Sequence, residues 1–211
     1  MYRERVEFSC GDIVLEGVLA LPEGSGPFGV VVVCHPHPLY GGNMDNNVVS
    51  AVCGGVEKQG LASFRFNFRG VGRSSGSFAQ GIGECDDAGV AVSFVEQRVE
   101  INPGRIGICG YSFGSMVAFA VAVKDSRVLA VAGISPFVEP ADLLNCYVKP
   151  KLFLSGTEDG YVNIGNLEKL VDALPEPKEL VVFPGVDHFW WEQEGTIATK
   201  IGEFFGCNLS Q

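Results

Sequence analysis

The stretch Arg105-Ile106-Gly107-Ile108-Cys109-Gly110-Tyr111-Ser112-Phe113-Gly114 decides the fold. Its first half, Arg105 to Cys109, reads as a short buried strand. Its second half contains G-x-S-x-G, and Ser112 to Val123 follows as a helix rich in small and apolar residues. A strand that turns into a helix over this motif holds its serine in a tight, strained bend. Glycines on both sides remove side chains that would strike the neighbouring strand and helix. The serine Oγ then projects from the carboxyl edge of a sheet, at a helix N-terminus whose dipole favours negative charge. Twenty-eight glycines make a chance G-x-S-x-G conceivable, so the flanking strand and helix carry the weight.

Working outward, the chain alternates strand-like and helix-like segments. Val6 to Cys10 and Ile13 to Leu21 read as an antiparallel pair joined at Gly11-Asp12. Gly29 to His35 (GVVVVCH) is a continuous apolar run, the pattern of a strand covered on both faces. Strands are predicted over Leu61 to Phe68, Val128 to Ser135, Lys151 to Ser155 and Lys178 to Phe183. Helices are predicted over Asn46 to Gln59, Glu84 to Gln97, Asn163 to Leu174 and Trp190 to Phe205. Two antiparallel strands followed by β-α-β repeats imply one domain spanning 1–211. Its sheet would have about eight mostly parallel strands, flanked by helices. The segment Pro136 to Pro150 leaves room for a short helix and none for a large lid domain.

A serine needs a base to act as a nucleophile near neutral pH. Of three histidines, His188 falls in the loop after the last predicted strand, in PGVDHF. An acid that orients the imidazole belongs at the end of the preceding strand, where TEDG follows KLFLSG. Asp159 is the choice, with Glu158 the alternative and Asp187 expected to serve its own loop. The order Ser, Asp, His is that of the α/β-hydrolase fold. Two backbone N–H donors should hold the oxyanion. Phe113 is one. The other comes from His35-Pro36-His37-Pro38-Leu39-Tyr40, where Pro36 and Pro38 have no N–H. His37 is the first choice and Leu39 or Tyr40 the next.

The stretches CHPHPLYGGNMDNNVV, FRFNFRGVGRSSGSF, GIGECDDA and GYSFGS resemble a family of small bacterial α/β-hydrolases. That family lies near the dienelactone hydrolase and cocaine-esterase-like branches of the superfamily, and the resemblance runs over nearly the whole chain. It implies an α/β-hydrolase fold without a lid and Ser112, Asp159 and His188 as the catalytic triad. Dienelactone hydrolase itself carries a cysteine nucleophile where this chain has Ser112, so lactone specificity does not carry over.

Around this site, Leu39, Tyr40, Tyr111 and Trp190 are candidate substrate contacts. Phe189-Trp190-Trp191 could wall the pocket or fill the core, and at least one tryptophan is expected in the core. Arg69 is expected to brace its loop against Glu84, Asp86 or Asp87. The competing role for Arg69 or Arg73 is to bind a substrate carboxylate. His35 and His37 lack the further ligands of a metal shell, and no nucleotide motif is present, so no cofactor is expected. His35 reads instead as a buried brace.

Apolar residues make up 46% of the chain and charged residues 19%, a globular composition. The net charge of −10 argues against nucleic acid and anionic membranes as partners. Seven scattered cysteines without a C-x-x-C pair suit reduced, mostly buried thiols, and the N-terminus lacks the apolar run of a secretory signal. A cytoplasmic monomer or homodimer is expected. The functional expectation is a carboxylesterase acting on a small soluble ester. A thioesterase, peptidase or acyltransferase with the same triad is the alternative, and a non-catalytic binding protein on the fold is a third.

Overall fold

The computed structural model describes residues 1–210. Among them are eight strands, in the order β1-β2-β4-β3-β5-β6-β7-β8 across one sheet, and five α-helices. β1 (Tyr2–Cys10) pairs antiparallel with β2 (Ile13–Leu21), which pairs antiparallel with β4 (Ala62–Phe66). From there the sheet is parallel: β4, β3 (Phe28–Cys34), β5 (Ile101–Tyr111), β6 (Val128–Ile134), β7 (Lys151–Gly156) and β8 (Lys178–Phe183). This is the expected α/β-hydrolase fold.

Two apolar layers sandwich the sheet. On one face, α1 (Asn47–Lys58) and α5 (Glu194–Leu209) cover Val31, Val33 and Cys109 with Val48, Val52, Ile197, Ile201 and Phe205. On the other, α2 (Ile82–Glu96), α3 (Phe113–Lys124) and α4 (Ile164–Ala173) cover Val30, Val32 and Ile108. Val30 to Val33 therefore alternate between two buried faces, which is why the run shows no polar alternation. The Asn46 side chain caps α1 by accepting from the Val48 N–H at 2.9 Å, satisfying a donor the helix itself leaves open.

Several boundaries differ from the sequence reading. β1 begins at Tyr2, because its Arg and Glu residues lie on an exposed edge strand where polar side chains are tolerated. The last helix begins at Glu194, after a turn that holds Trp190 and Glu192 at positive φ. Pro136 to Pro150 forms turns and bends with no helix. Only Cys34, Cys53 and Cys109 are buried, while Cys146 and Cys207 are exposed, which corrects the expectation of mostly buried thiols. No helix among the described residues is long and apolar enough to cross a membrane.

Candidate active site

Ser112 lies between the end of β5 and the start of α3, at φ 53° and ψ −122°. A non-glycine residue adopts such a backbone only where its surroundings over-determine it. Here they do. A Cβ on Gly110 would strike the Gly114 backbone, and one on Gly114 would strike the Cys34 and His35 carbonyls. The bend is therefore pressed against the loop that follows β3. Ser115 secures it from below: its fully buried hydroxyl donates to the Ser112 carbonyl at 2.6 Å and accepts from the Phe137 N–H at 2.9 Å.

His188 arrives from the loop after β8, and Asp159 from the loop after β7. These loops are stitched to each other. The Thr157 N–H donates to the Phe183 carbonyl, the Glu158 N–H to the Val186 carbonyl, and the Gly185 N–H to Thr157 Oγ1. Tyr111 adds a tie, its phenol donating to the His188 carbonyl at 2.8 Å. The outcome is a continuous chain of contacts. His188 Nε2 lies 3.0 Å from Ser112 Oγ, and His188 Nδ1 lies 2.9 Å from each oxygen of Asp159. Glu158 is exposed, and Asp187 accepts from the Phe189 and Trp190 N–H groups of its own loop.

All three side chains are buried. Burial pushes the Asp159 carboxyl up. Hydrogen bonding from His188 and the Tyr161 N–H outweighs that effect and holds it below the usual carboxylate value. It is thus an anion across the neutral range, facing Nδ1. That arrangement fixes the tautomer with a proton on Nδ1 and leaves the Nε2 lone pair toward the serine.

In the loop after β3, a 3₁₀ turn covers Pro38–Tyr40. It consumes two of the three candidate oxyanion donors. The Leu39 N–H donates to His37 Nδ1 and the Tyr40 N–H to the His37 carbonyl. This removes Leu39 and Tyr40 as donors. The N–H groups of His37 and Phe113 have no acceptor among the described residues, and the two rings lie 4.9 Å apart. His35 braces the same loop, with Nδ1 2.6 Å from the Pro36 carbonyl and Nε2 accepting from the Phe68 N–H at 3.1 Å.

A cavity of about 390 Å³ opens above Ser112 and His188. Tyr40 and Tyr111 line it, as the sequence suggested. Trp190 and Leu39 do not, and both are corrections. Trp190 is fully buried against Phe183, and its Nε1–H donates to Ser135 Oγ at 2.8 Å. Leu39 is 69% exposed at the outer rim of the 3₁₀ turn. Met116, Phe137, Tyr161 and Phe189 are wall residues that the sequence left unassigned or undecided. Their signal is weak, since an aromatic residue in a loop reads equally as core.

The arginines are spent elsewhere. Arg69 pairs with Asp87 at 2.7 Å and Arg73 with Glu16 at 2.9 Å, and neither lines the cavity. No group of three or more possible metal ligands occurs among the described residues.

An eight-stranded, mostly parallel sheet with a serine on a strained strand-to-helix bend defines an α/β-hydrolase. The model of the family described as "Dienelactone hydrolase family" matches residues 80–201, more than half of the chain, which belongs to that family and is a hydrolase. An uncharacterised protein of Rickettsia prowazekii is 33% identical over 83% of this chain and 77% of its own length. Among solved structures, an alpha-beta serine hydrolase homologue from Coxiella burnetii is 30% identical, with a TM-score of 0.85 over 95% of this chain and 96% of that one. A Xanthomonas campestris protein described as an a/b serine hydrolase without lid is 27% identical. It has a TM-score of 0.82 over 95% of this chain and 92% of its own.

Proposed function

We propose that the protein is a serine carboxylesterase that hydrolyses small, uncharged esters through an acyl-enzyme on Ser112. The observation that carries this reading is the continuous chain from Asp159 through His188 to Ser112 at the floor of an open cavity. In the proposed cycle, Ser112 Oγ attacks the ester carbonyl as His188 Nε2 takes its proton. The oxygen that becomes negative is received by the Phe113 and His37 N–H groups. His188 returns the proton to the departing alcohol. A water then gives its proton to the same nitrogen as it attacks the acyl carbon. When the second tetrahedral intermediate collapses, His188 passes that proton to Ser112 Oγ, which leaves as the free hydroxyl as the acid is released.

The cavity supports the substrate class. Its volume of about 390 Å³ lies near the lower end of the range for small-molecule sites, which suits a short acyl or alcohol group. Its lining is mostly aromatic and apolar, and no Lys, Arg, Asp or Glu contributes to it. An ionised substrate group there would lose its water without gaining a counter-ion.

The test is hydrolysis of p-nitrophenyl acetate, butyrate and octanoate by the wild type and Ser112→Ala. The expected result is turnover that falls with chain length and disappears in the variant. Absence of ester turnover, with fluorophosphonate labelling of Ser112 intact, would reject the carboxylesterase reading in favour of thioesters, amides or acyl transfer.

A further inference from the structure

One side-chain amide lines the catalytic cavity, that of Asn46, and it has no part in the cycle above. The other hydrogen-bonding groups of this residue are already engaged. Its N–H donates to the Asn43 carbonyl at 3.2 Å, its carbonyl accepts from the Ser50 N–H at 2.9 Å, and its Oδ1 accepts from the Val48 N–H at 2.9 Å as the cap of α1. What remains is Nδ2, which carries two hydrogens and has no acceptor among the described residues. The cap also fixes which way the amide faces. Turned over, it would set Nδ2 against the Val48 N–H, donor against donor, and leave that helix-end group without a partner.

The position is rigid as well. In the loop before α1, the Tyr40 and Gly42 N–H groups donate to the His37 carbonyl and the Gly41 N–H to the Pro38 carbonyl. A Cβ on Gly42 would strike the Pro36 and His37 carbonyls, so the loop is closed on itself. Behind Asn46, Val48 and Val49 are fully buried in the layer built by α1 and α5. Asn47 Nδ2 donates to the Phe189 carbonyl at 3.2 Å and to Glu194 Oε1 at 3.1 Å, which ties the start of α1 to the far side of the cavity. The other polar groups of the lining differ. The Tyr111 phenol already donates to the His188 carbonyl, and the His37 ring packs among those of Tyr40, Phe78 and Phe113. Tyr40 and Tyr161 are 86% and 64% exposed and can turn their hydroxyls to water.

We infer that Asn46 is a substrate-binding residue: its Nδ2 donates to a neutral oxygen acceptor (an ether, hydroxyl or carbonyl) on the arm of the ester that reaches α1. The inference rests on the serine-esterase reading given above and narrows its substrates to esters with a further oxygen function. An oxygen that enters this mostly apolar cavity gives up its water, and a fixed donor restores the lost bond. A hydrocarbon arm of the same shape shuts Nδ2 off from water without a partner. The two arms are thus told apart by a polar group that only one of them satisfies. No cation lines the cavity, so nothing there favours a carboxylate over a neutral oxygen.

The test uses pairs of esters that differ only by an ether oxygen in place of a methylene. On the acyl side these are p-nitrophenyl methoxyacetate against butyrate and p-nitrophenyl methoxypropanoate against pentanoate; on the alcohol side, methoxyethyl acetate against butyl acetate. The ratio of kcat/KM within each pair is compared in wild type, Asn46→Asp and Asn46→Ser. Both substitutions retain a good helix cap, so melting temperatures stay near that of wild type. The carboxylate donates nothing, and the serine hydroxyl is too short to reach where Nδ2 stands. For at least one pair, the ether-to-alkyl ratio is expected to fall about fivefold in Asn46→Ser and further in Asn46→Asp, whose charge repels the acceptor. General damage to the site lowers both members of a pair alike and leaves the ratio in place. Ratios that agree within about twofold across the three proteins, for every pair, overturn the inference and leave the esterase reading standing. Labelling of Ser112 by fluorophosphonates bearing propyl and methoxymethyl groups gives the same ratio without turnover. A fall there, with no ester hydrolysed by wild type, keeps Asn46 as the acceptor-binding residue and rejects the esterase reading. A wild type that neither hydrolyses nor labels overturns both.

Discussion

His35 and His188 are both buried imidazoles with both ring nitrogens engaged, yet only one can carry a proton through a reaction cycle. His35 Nδ1 faces the Pro36 carbonyl and its Nε2 lone pair is filled by the Phe68 N–H. Both partners are backbone groups, neutral and fixed. Burial pushes its pKa down to about 4, so it stays uncharged. His188 instead has a carboxylate on Nδ1 and a hydroxyl on Nε2, and its ring borders the cavity. The carboxylate stabilises an imidazolium, and the hydroxyl can surrender its proton. What distinguishes a brace from a base is therefore the partners of the two nitrogens, since the two rings are about equally hidden from water.

The largest expected effect breaks the comparison at its active end. His188→Gln should lower kcat by roughly 10⁴- to 10⁶-fold with little change in melting temperature, measured by ester turnover and differential scanning calorimetry. Asp159→Asn should follow at about 10⁴-fold, because the amide favours the wrong tautomer. A loss below about tenfold in either would place the base elsewhere.

His35→Leu should do the reverse. It leaves the Phe68 N–H and the Pro36 carbonyl without partners, at a cost of about 2–4 kcal/mol in urea denaturation. Its kcat, corrected for folded protein, should fall by less than about tenfold.

The same contrast has a pH signature. The folded pKa of His35, about 4, lies below the ordinary histidine value of 6.5. Between those values the unfolded chain binds a proton that the folded one does not. This contribution is complete above pH 6.5, declines as pH falls below it, and levels off below about 4. By pH 5 the loss is ~2 kcal/mol. The decline should be smaller by about that amount in His35→Gln, compared with wild type by urea midpoints at pH 7.5 and pH 5. An unchanged pH dependence would mean that His35 is protonated inside the fold.

The smallest effect concerns what holds the active ring in place. Tyr111→Phe removes the 2.8 Å tie to the His188 carbonyl and should lower kcat by roughly threefold. An unchanged rate would show that the stitched loops after β7 and β8 suffice.

Much of this contrast was legible in the sequence. The run GVVVVCH, the G-x-S-x-G bend and the placement of Asp159 and His188 after successive strands follow from residue types that few other structures tolerate. His35 could be read as a brace because no further metal ligand accompanies it. Less was legible where one residue type fits two environments. Phe189, Trp190 and Trp191 are consecutive aromatics, yet Phe189 lines the cavity, Trp190, at positive φ, is fully buried, and Trp191 is exposed. Positive φ in a non-glycine residue leaves no mark in composition. The donor choice between His37, Leu39 and Tyr40 depended on a short 3₁₀ turn whose internal bonds use two of the three N–H groups.

The most direct measurement is intact-mass and peptide mapping after brief exposure to a fluorophosphonate, on wild type, His188→Gln and His35→Gln at neutral pH. A single adduct on Ser112 in wild type and His35→Gln, formed far more slowly in His188→Gln, is the expected result. An adduct on another residue, or equal labelling rates in wild type and His188→Gln, would contradict the assignment of His188 as the base that activates Ser112.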